Sequence, residues 1–203
     1  MLSCEVMRDW AAFRSYLERT LRGERVPEES WMPYRDRLSI LITDLSGFTR
    51  LTRELGNAGM VALLHGMRGV ALPILEAHGG VPVKYQADDL FAAFRTPDGA
   101  LRTAVDLQRA LADPRPRLPA RVELCMGIGF GEVLWWGDDD LYGEEINLAS
   151  KLGEDTAEPG EILLTESAAR MCRERLPGVL LRDAGAIPVG GLSYPYLRYE
   201  GGL

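Results

Sequence analysis

The chain has 203 residues, of which 46% are hydrophobic and 26% charged, the profile of an ordinary globular protein able to build a core without staples. Lys and Arg total 23 against 30 Asp and Glu, a net charge of −7, so the surface as a whole repels phosphate backbones and anionic lipid. Nucleic acid and a membrane surface are thereby disfavoured as partners, and a bound nucleotide would need metal cations or a local basic cluster to screen it.

Three cysteines, Cys4, Cys125 and Cys172, show no CxxC spacing and give neither a disulfide framework nor a zinc ribbon. The N-terminus carries Glu5 and Asp9 where a signal peptide needs a basic start and an apolar run, and no uncharged apolar stretch of about 18 residues occurs. The expected compartment is a reducing cytoplasm.

In chain order, Trp10, Phe13, Leu17 and Leu21 recur at helical spacing and predict an amphipathic helix ending near Gly23, before a loop with Pro27 and Pro33. Residues 1–35 read as this helix and its linker, and 36–203 as the main domain. Leu38–Asp44 is a short apolar run with β-branched residues, a buried strand bounded by Ser46-Gly47. A short helix over Thr49–Leu55, a break at Asn57-Ala-Gly59, and a long helix from Met60 to Ala77, kinked or thinned at Pro73, come next. Val81–Gln86 and Leu90–Phe94 read as a hairpin with Asp88-Asp89 at its tip. Ala100, Ala104, Leu107 and Leu111 mark another helix.

Val122–Gly129 and Glu132–Trp136 are expected to form a strand pair around Gly131, with alternation burying one of Trp135 and Trp136 and exposing the other. The acidic run Asp138-Asp-Asp140 leads into a helix over Glu144–Leu152. A strand over Gly160–Thr165, a helix over Glu166–Arg175 and two short strands between Val179 and Tyr199 complete the chain. This order lacks strict βαβ alternation and predicts an α+β fold, ferredoxin-like, with helices covering a mostly antiparallel sheet.

Asp44 ends an apolar strand just before a turn and a helix, where backbone N–H groups converge and a carboxylate can hold a metal; an Asp that only caps that helix is an equal alternative. Asp88 adds a second carboxylate at a hairpin tip, the usual place of a polar turn residue. If the two strand ends lie side by side, Asp44 and Asp88 can bridge two divalent cations, and their hard oxygens suit Mg²⁺ or Mn²⁺. Asn147 and Lys151 stand at i,i+4 on one helix face.

Leu41-Ile-Thr-Asp-Leu-Ser-Gly-Phe-Thr49, Ala77-His-Gly-Gly80, Lys84-Tyr-Gln-Ala-Asp88, Leu90-Phe-Ala-Ala-Phe94, Gly127-Ile-Gly-Phe-Gly-Glu132, Tyr142–Leu152 and Glu158–Thr165 occur in this order. Together they resemble the catalytic domain of class III nucleotidyl cyclases over about residues 36–200. The resemblance implies a cyclase homology domain in which Asp44 and Asp88 hold two metal ions, Mg²⁺ or Mn²⁺, and the turn of Leu45, Ser46, Gly47, Phe48 and Thr49 cradles the β- and γ-phosphates. It puts Lys84 and Asp140 at the base-selecting positions, Asn147 at the ribose and Lys151 at the place of a transition-state arginine. A Lys donor and an Asp acceptor complement adenine N1 and N6, so ATP is favoured over GTP.

The resemblance further implies a homodimer with active sites at the interface and the conversion of ATP to cyclic AMP and pyrophosphate. Departures are Lys151 in place of an arginine, Gly190 where a lysine reaches the triphosphate, and a shortened 131–140 stretch. These set slow turnover beside an alternative: a degenerate cyclase-like module that binds nucleotide or a partner protein.

Overall fold

The computed structural model describes residues 8–115, 117–137 and 140–203; Cys4, Asp138 and Asp139 lie outside them. Strand β1 (Arg35–Leu45) is buried from Leu38 to Thr43 on both faces, which is why it reads as an unbroken apolar run. Its one hydroxyl at the middle, Ser39 Oγ, donates to the Gly129 carbonyl at 2.9 Å. On one side β1 pairs antiparallel with β3 (Asp89–Phe94), itself joined to β2 (Val81–Gln86). On the other side it pairs antiparallel with β4 (Leu124–Trp135).

With helices α2 (Phe48–Ala77) and α3 (Pro97–Ala112) as crossovers, this is the ferredoxin-like βαββαβ unit. Beyond β4 follow a short β5 (Leu141–Tyr142), helix α4 (Glu144–Ser150), β6 (Ile162–Thr165), helix α5 (Glu166–Arg175), β7 (Leu180–Val189) and β8 (Leu192–Gly201). The strand order is β2-β3-β1-β4-β6-β8-β7, with β5 on β4. Among the described strand pairs only β4 and β6 run parallel, so the expected mostly antiparallel α+β sheet is what the chain forms.

α2, α3 and α5 cover one face over a core that includes Leu41, Leu63, Leu75, Leu101, Met126 and Leu164. The other face carries a smaller cluster of Leu38, Ile40, Ile42, Val133, Trp135 and Ile146. Helix α1 (Trp10–Leu21), capped by Asp9, docks at that second face through Trp10, and Phe13, Tyr16, Trp31 and Tyr34 knit it to the following 3-10 turn. α2 is long and apolar enough to cross a membrane by length and composition. Here one stripe of it, Leu63, Met67, Ala71 and Leu75, is buried against the sheet, as in an amphipathic helix covering a core.

Several expectations need correction. The strand pair around Gly131 is one continuous strand, in which Gly131 pairs with Leu38. Its glycines serve packing: a Cβ at Gly127 would lie 2.0 Å from the Ala149 carbonyl oxygen, and one at Gly129 2.4 Å from that of Glu145. α4 therefore rests backbone against backbone on β4. The break in α2 falls at Gly56, with φ 67° and ψ 172°, a left-handed φ natural to glycine. α4 is shorter than expected and passes into a π-helical turn over Lys151–Thr156, a form uncommon outside functional sites. The last two strands are a long hairpin of 10 residues each.

Trp135 is buried and Trp136 is 52% exposed, as alternation predicted. His78 ends α2 and has a carboxylate partner, Asp106, at 2.8 Å across to α3.

Candidate active site

Asp44 is the penultimate residue of β1, and Asp88 lies in the two-residue turn Ala87-Asp88 between β2 and β3, where Ala87 takes φ 52°. The β1–β3 register ends at Thr43↔Leu90, so one step further Asp44 stands opposite Asp89. Directly opposed residues of an antiparallel pair share a face. Asp44, Asp88 and Asp89 each present one carboxylate oxygen within 4.8 Å of the others. Asp89 is the site residue that the motif reading missed. The signal was available in the strand register, which sequence spacing alone does not fix.

Burial raises the carboxyls of all three acids, while a hydrogen bond between Asp44 and Asp89 lowers the first and raises the second. Burial and then the Asp88 charge push the Asp44 carboxyl up, and burial pushes Asp88 up against hydrogen bonds from its own and the Leu45 N–H. Asp89 rises to about 7, through burial first and then through Glu154, Asp88 and Asp44. Glu154 comes from the π-helical turn, whose Gly153 fits against Gly127 N and Ile42 O. Cys125, across from Asp44 in the β1–β4 ladder, is a buried thiol pushed up to about 11 by burial and the neighbouring acids, and so stays protonated. The donors are hard oxygens, and Asp89 Oδ1 is buried with no hydrogen-bond partner. That donor set fits Mg²⁺ or Mn²⁺.

Beside Asp44 the chain turns through Leu45-Ser46-Gly47 into α2. Gly47, at φ 76°, precedes the first helical residue, and no side chain caps the helix. The N–H groups opening α2, at Phe48, Thr49 and Arg50, thus remain for an anion. Lys84 and Asp140 form an ion pair at 2.8 Å. Asp140 also accepts from the Leu141 N–H at 2.8 Å; burial pushes its carboxyl up, but the Lys84 bond outweighs this and holds it below the usual range. Among the described residues no hydrogen bond or ion pair joins this pair to the three acids.

Asn147 is exposed on α4, with no side-chain partner among the described residues. Lys151, also exposed, is bound to Asp155 at 2.8 Å, a contact that the i,i+4 view of Asn147 and Lys151 did not anticipate. Gly190 and Gly191 make the tight turn between β7 and β8 with φ 57° and 82°. A lysine at Gly190 would be strained in that conformation, so the missing cation has a backbone reason.

The sequence profile described as "Adenylate and Guanylate cyclase catalytic domain" matches residues 32–194. The chain belongs to that family. Its relatives include an adenylate cyclase of Streptomyces coelicolor, 31% identical over 140 residues, covering 68% of this chain and 35% of that protein. An uncharacterized protein of Mycobacterium tuberculosis is 31% identical over 157 residues, covering 77% of this chain and 39% of that one. The chain thus spans under two fifths of these relatives. Among solved structures, the adenylyl cyclase CyaB of P. aeruginosa superposes with a TM-score of 0.71 at 24% identity, covering 82% of this chain and 95% of that one. The guanylate cyclase domain of Catenaria anguillulae, solved with GTP, superposes with a TM-score of 0.72 at 18% identity, covering 83% and 98%. These two share the cyclase fold.

Proposed function

We propose that the chain is a slow adenylyl cyclase that converts ATP to cyclic AMP and pyrophosphate at the interface of a homodimer in the cytoplasm. The observation that carries this reading is the carboxylate cluster of Asp44, Asp88 and Asp89 beside the uncapped N-terminus of α2. Asp44 and Asp88 would hold two divalent cations, Mg²⁺ or Mn²⁺, which when bound supply Lewis acidity and the positive charge that the triphosphate requires.

The rest is the work of the chain's own groups. The amides opening α2 donate to the β- and γ-phosphate oxygens. Lys84 donates to adenine N1 and Asp140 accepts from N6; guanine reverses both groups and leaves two mismatched partners. The 2.8 Å pairing of Lys84 with Asp140 keeps donor and acceptor side by side before the base arrives. Asn147 orients the ribose so that its 3′-oxygen lies in line with the α-phosphorus, where the new P–O bond forms as the 3′-hydroxyl proton leaves to solvent and the bond to pyrophosphate breaks. Lys151 lends positive charge to the phosphates as this happens.

The base-binding pair and the acid cluster are separate groups within one chain, which supports a partner protomer that supplies the missing half to each site. Trp136, its ring tilted against that of Tyr142 with centroids 5.2 Å apart, offers exposed aromatic area for such an interface. The buried free thiols of Cys125 and Cys172 suit a reducing compartment.

The test is cyclic product from purified protein with ATP and with GTP, each with Mg²⁺ and Mn²⁺, beside Asp44→Ala. Product from ATP that Asp44→Ala abolishes supports the reading, and product no higher than that of Asp44→Ala overturns it. Two observations favour a second reading: Lys151 is tied to Asp155 and Gly190 carries no cation, as in a module that binds nucleotide without turnover. ATP binding by equilibrium dialysis, without product, would establish that alternative.

A further inference from the structure

The geometry points to Asp89 as a third carboxylate ligand, which lets each protomer capture one divalent cation before any nucleotide arrives. The inference rests on the reading of Asp44 and Asp88 as metal ligands and adds a residue that the motif does not supply. Three observations carry it. Asp89 stands opposite Asp44 at the end of the β1–β3 ladder and brings an oxygen within 4.8 Å of both other acids. Its Oδ1 is buried without a hydrogen-bond partner, although a buried carboxylate oxygen ordinarily finds a donor. Asp89 also has no Lys, Arg or His within ion-pair distance among the described residues, whereas the acids at 36, 98 and 140 each have at least one.

Like charges placed opposite one another on neighbouring strands destabilise a sheet, and without a metal only a proton held between Asp44 and Asp89 relieves them. A hard cation would meet all three conditions at once: it fills the coordination of Oδ1, offsets the repulsion and matches the oxygen donor set. A pair of carboxylates needs the phosphates to complete a site for Mg²⁺ or Mn²⁺, whereas a third carboxylate supplies charge that the nucleotide would otherwise bring. The ion would then be in place when the triphosphate reaches α2.

The experiment counts bound Mn²⁺ by the electron paramagnetic resonance signal of the free ion, without nucleotide, in the parent protein and in Asp89→Asn, Glu154→Gln and Asp44→Asn. The parent is expected to bind one Mn²⁺ per protomer. Asp89→Asn should weaken binding by about tenfold or more, since affinity at such sites follows the number of charged ligands. Glu154→Gln removes a nearby charge and should weaken it distinctly less. Metal-free Asp89→Asn should melt at or above the parent temperature, because a repulsion is gone, and its melting temperature should rise less on adding Mg²⁺. Asp89→Ala repeats the measurement should the Asn variant fold poorly.

Parent-like binding by Asp89→Asn, with binding lost in Asp44→Asn, would overturn the role of Asp89 and leave the metal reading standing. Equal losses in Asp89→Asn and Glu154→Gln would also overturn it, because only charge at a distance would then be acting. Absence of Mn²⁺ binding in the parent, with ATP as well as without, would remove both readings.

Discussion

At the start of β1, Asp36 accepts from Arg8 and from the Trp135 indole, each at 2.9 Å, and lies 3.4 Å from Arg95. At the other end of the strand, Asp44 faces the carboxyls of Asp88 and Asp89. The first acid is surrounded by donors and fastens the N-terminal segment to the sheet, with Arg8 stacked 4.7 Å over the Trp135 ring. The second is surrounded by acceptors. Folding alone favours the first arrangement, since a buried acid without a donor is costly. The second makes sense as a site completed from outside the chain.

The largest expected effect separates these two ends by stability. Asp36→Ala strips partners from a nearly buried guanidinium and from an indole N–H, and should cost about 2–3 kcal/mol in urea unfolding. Asp44→Ala should leave the metal-free protein as stable as the parent or more so. If both variants lose the same stability, the contrast drawn between the two ends is wrong.

A smaller effect concerns the shortage of cations at the Asp44 end. Lys151→Arg offers a forked donor set to the phosphates and should raise kcat for cyclic AMP by about tenfold, equal to roughly 1.4 kcal/mol of barrier. Lys151→Ala should lower it, and urea midpoints should scarcely move for either, because the Lys151–Asp155 pair is exposed. An unchanged rate in Lys151→Arg would mean that the position does not meet the reacting phosphates.

The smallest effect extends the first kind of acid to Asp98. Burial pushes its carboxyl up, but Thr96 and Arg175 outweigh this and hold it below its ordinary value. A lowered folded value means stability that is present above the unfolded value near ~3.9 and lost as pH falls through the folded one. The stability difference between parent and Asp98→Asn should therefore be constant from pH 5 to 7 and shrink below about pH 4. A difference that grows with acid would reverse the assignment.

Much of this was legible in the sequence because the informative residues sit at element ends, where local rules are strong. Asp44 follows a β-branched run, Ser46-Gly47 marks the turn into α2, and Lys84 and Asp88 flank a hairpin tip. What the sequence concealed depended on contacts distant along the chain. Gly131 looks like a turn residue locally, and only its pairing with Leu38 on β1 shows that the strand runs through it, while the backbone of α4 lying on Gly127 and Gly129 explains why they carry no side chain. Asp89 gained its place from pairing with β1, and Lys151 was bound by an acid one turn away rather than left free beside Asn147. The Gly56 break lay just before the expected one, since Asn57, Ala58 and Gly59 can all continue a helix once the chain has turned at a positive φ.

The seating of α4 on those glycines also bears on how the protein can move. A helix that rests on side chains can slide a little as rotamers change, so a shift in the sheet reaches it blunted. α4 has no such cushion where its Glu145 and Ala149 carbonyls approach β4, and Gly153 meets β4 in the same manner one turn later. Helix and strand are thus in direct register, and the placement of Asn147 and Lys151 is tied to the backbone of β4 rather than to the rotamers between them.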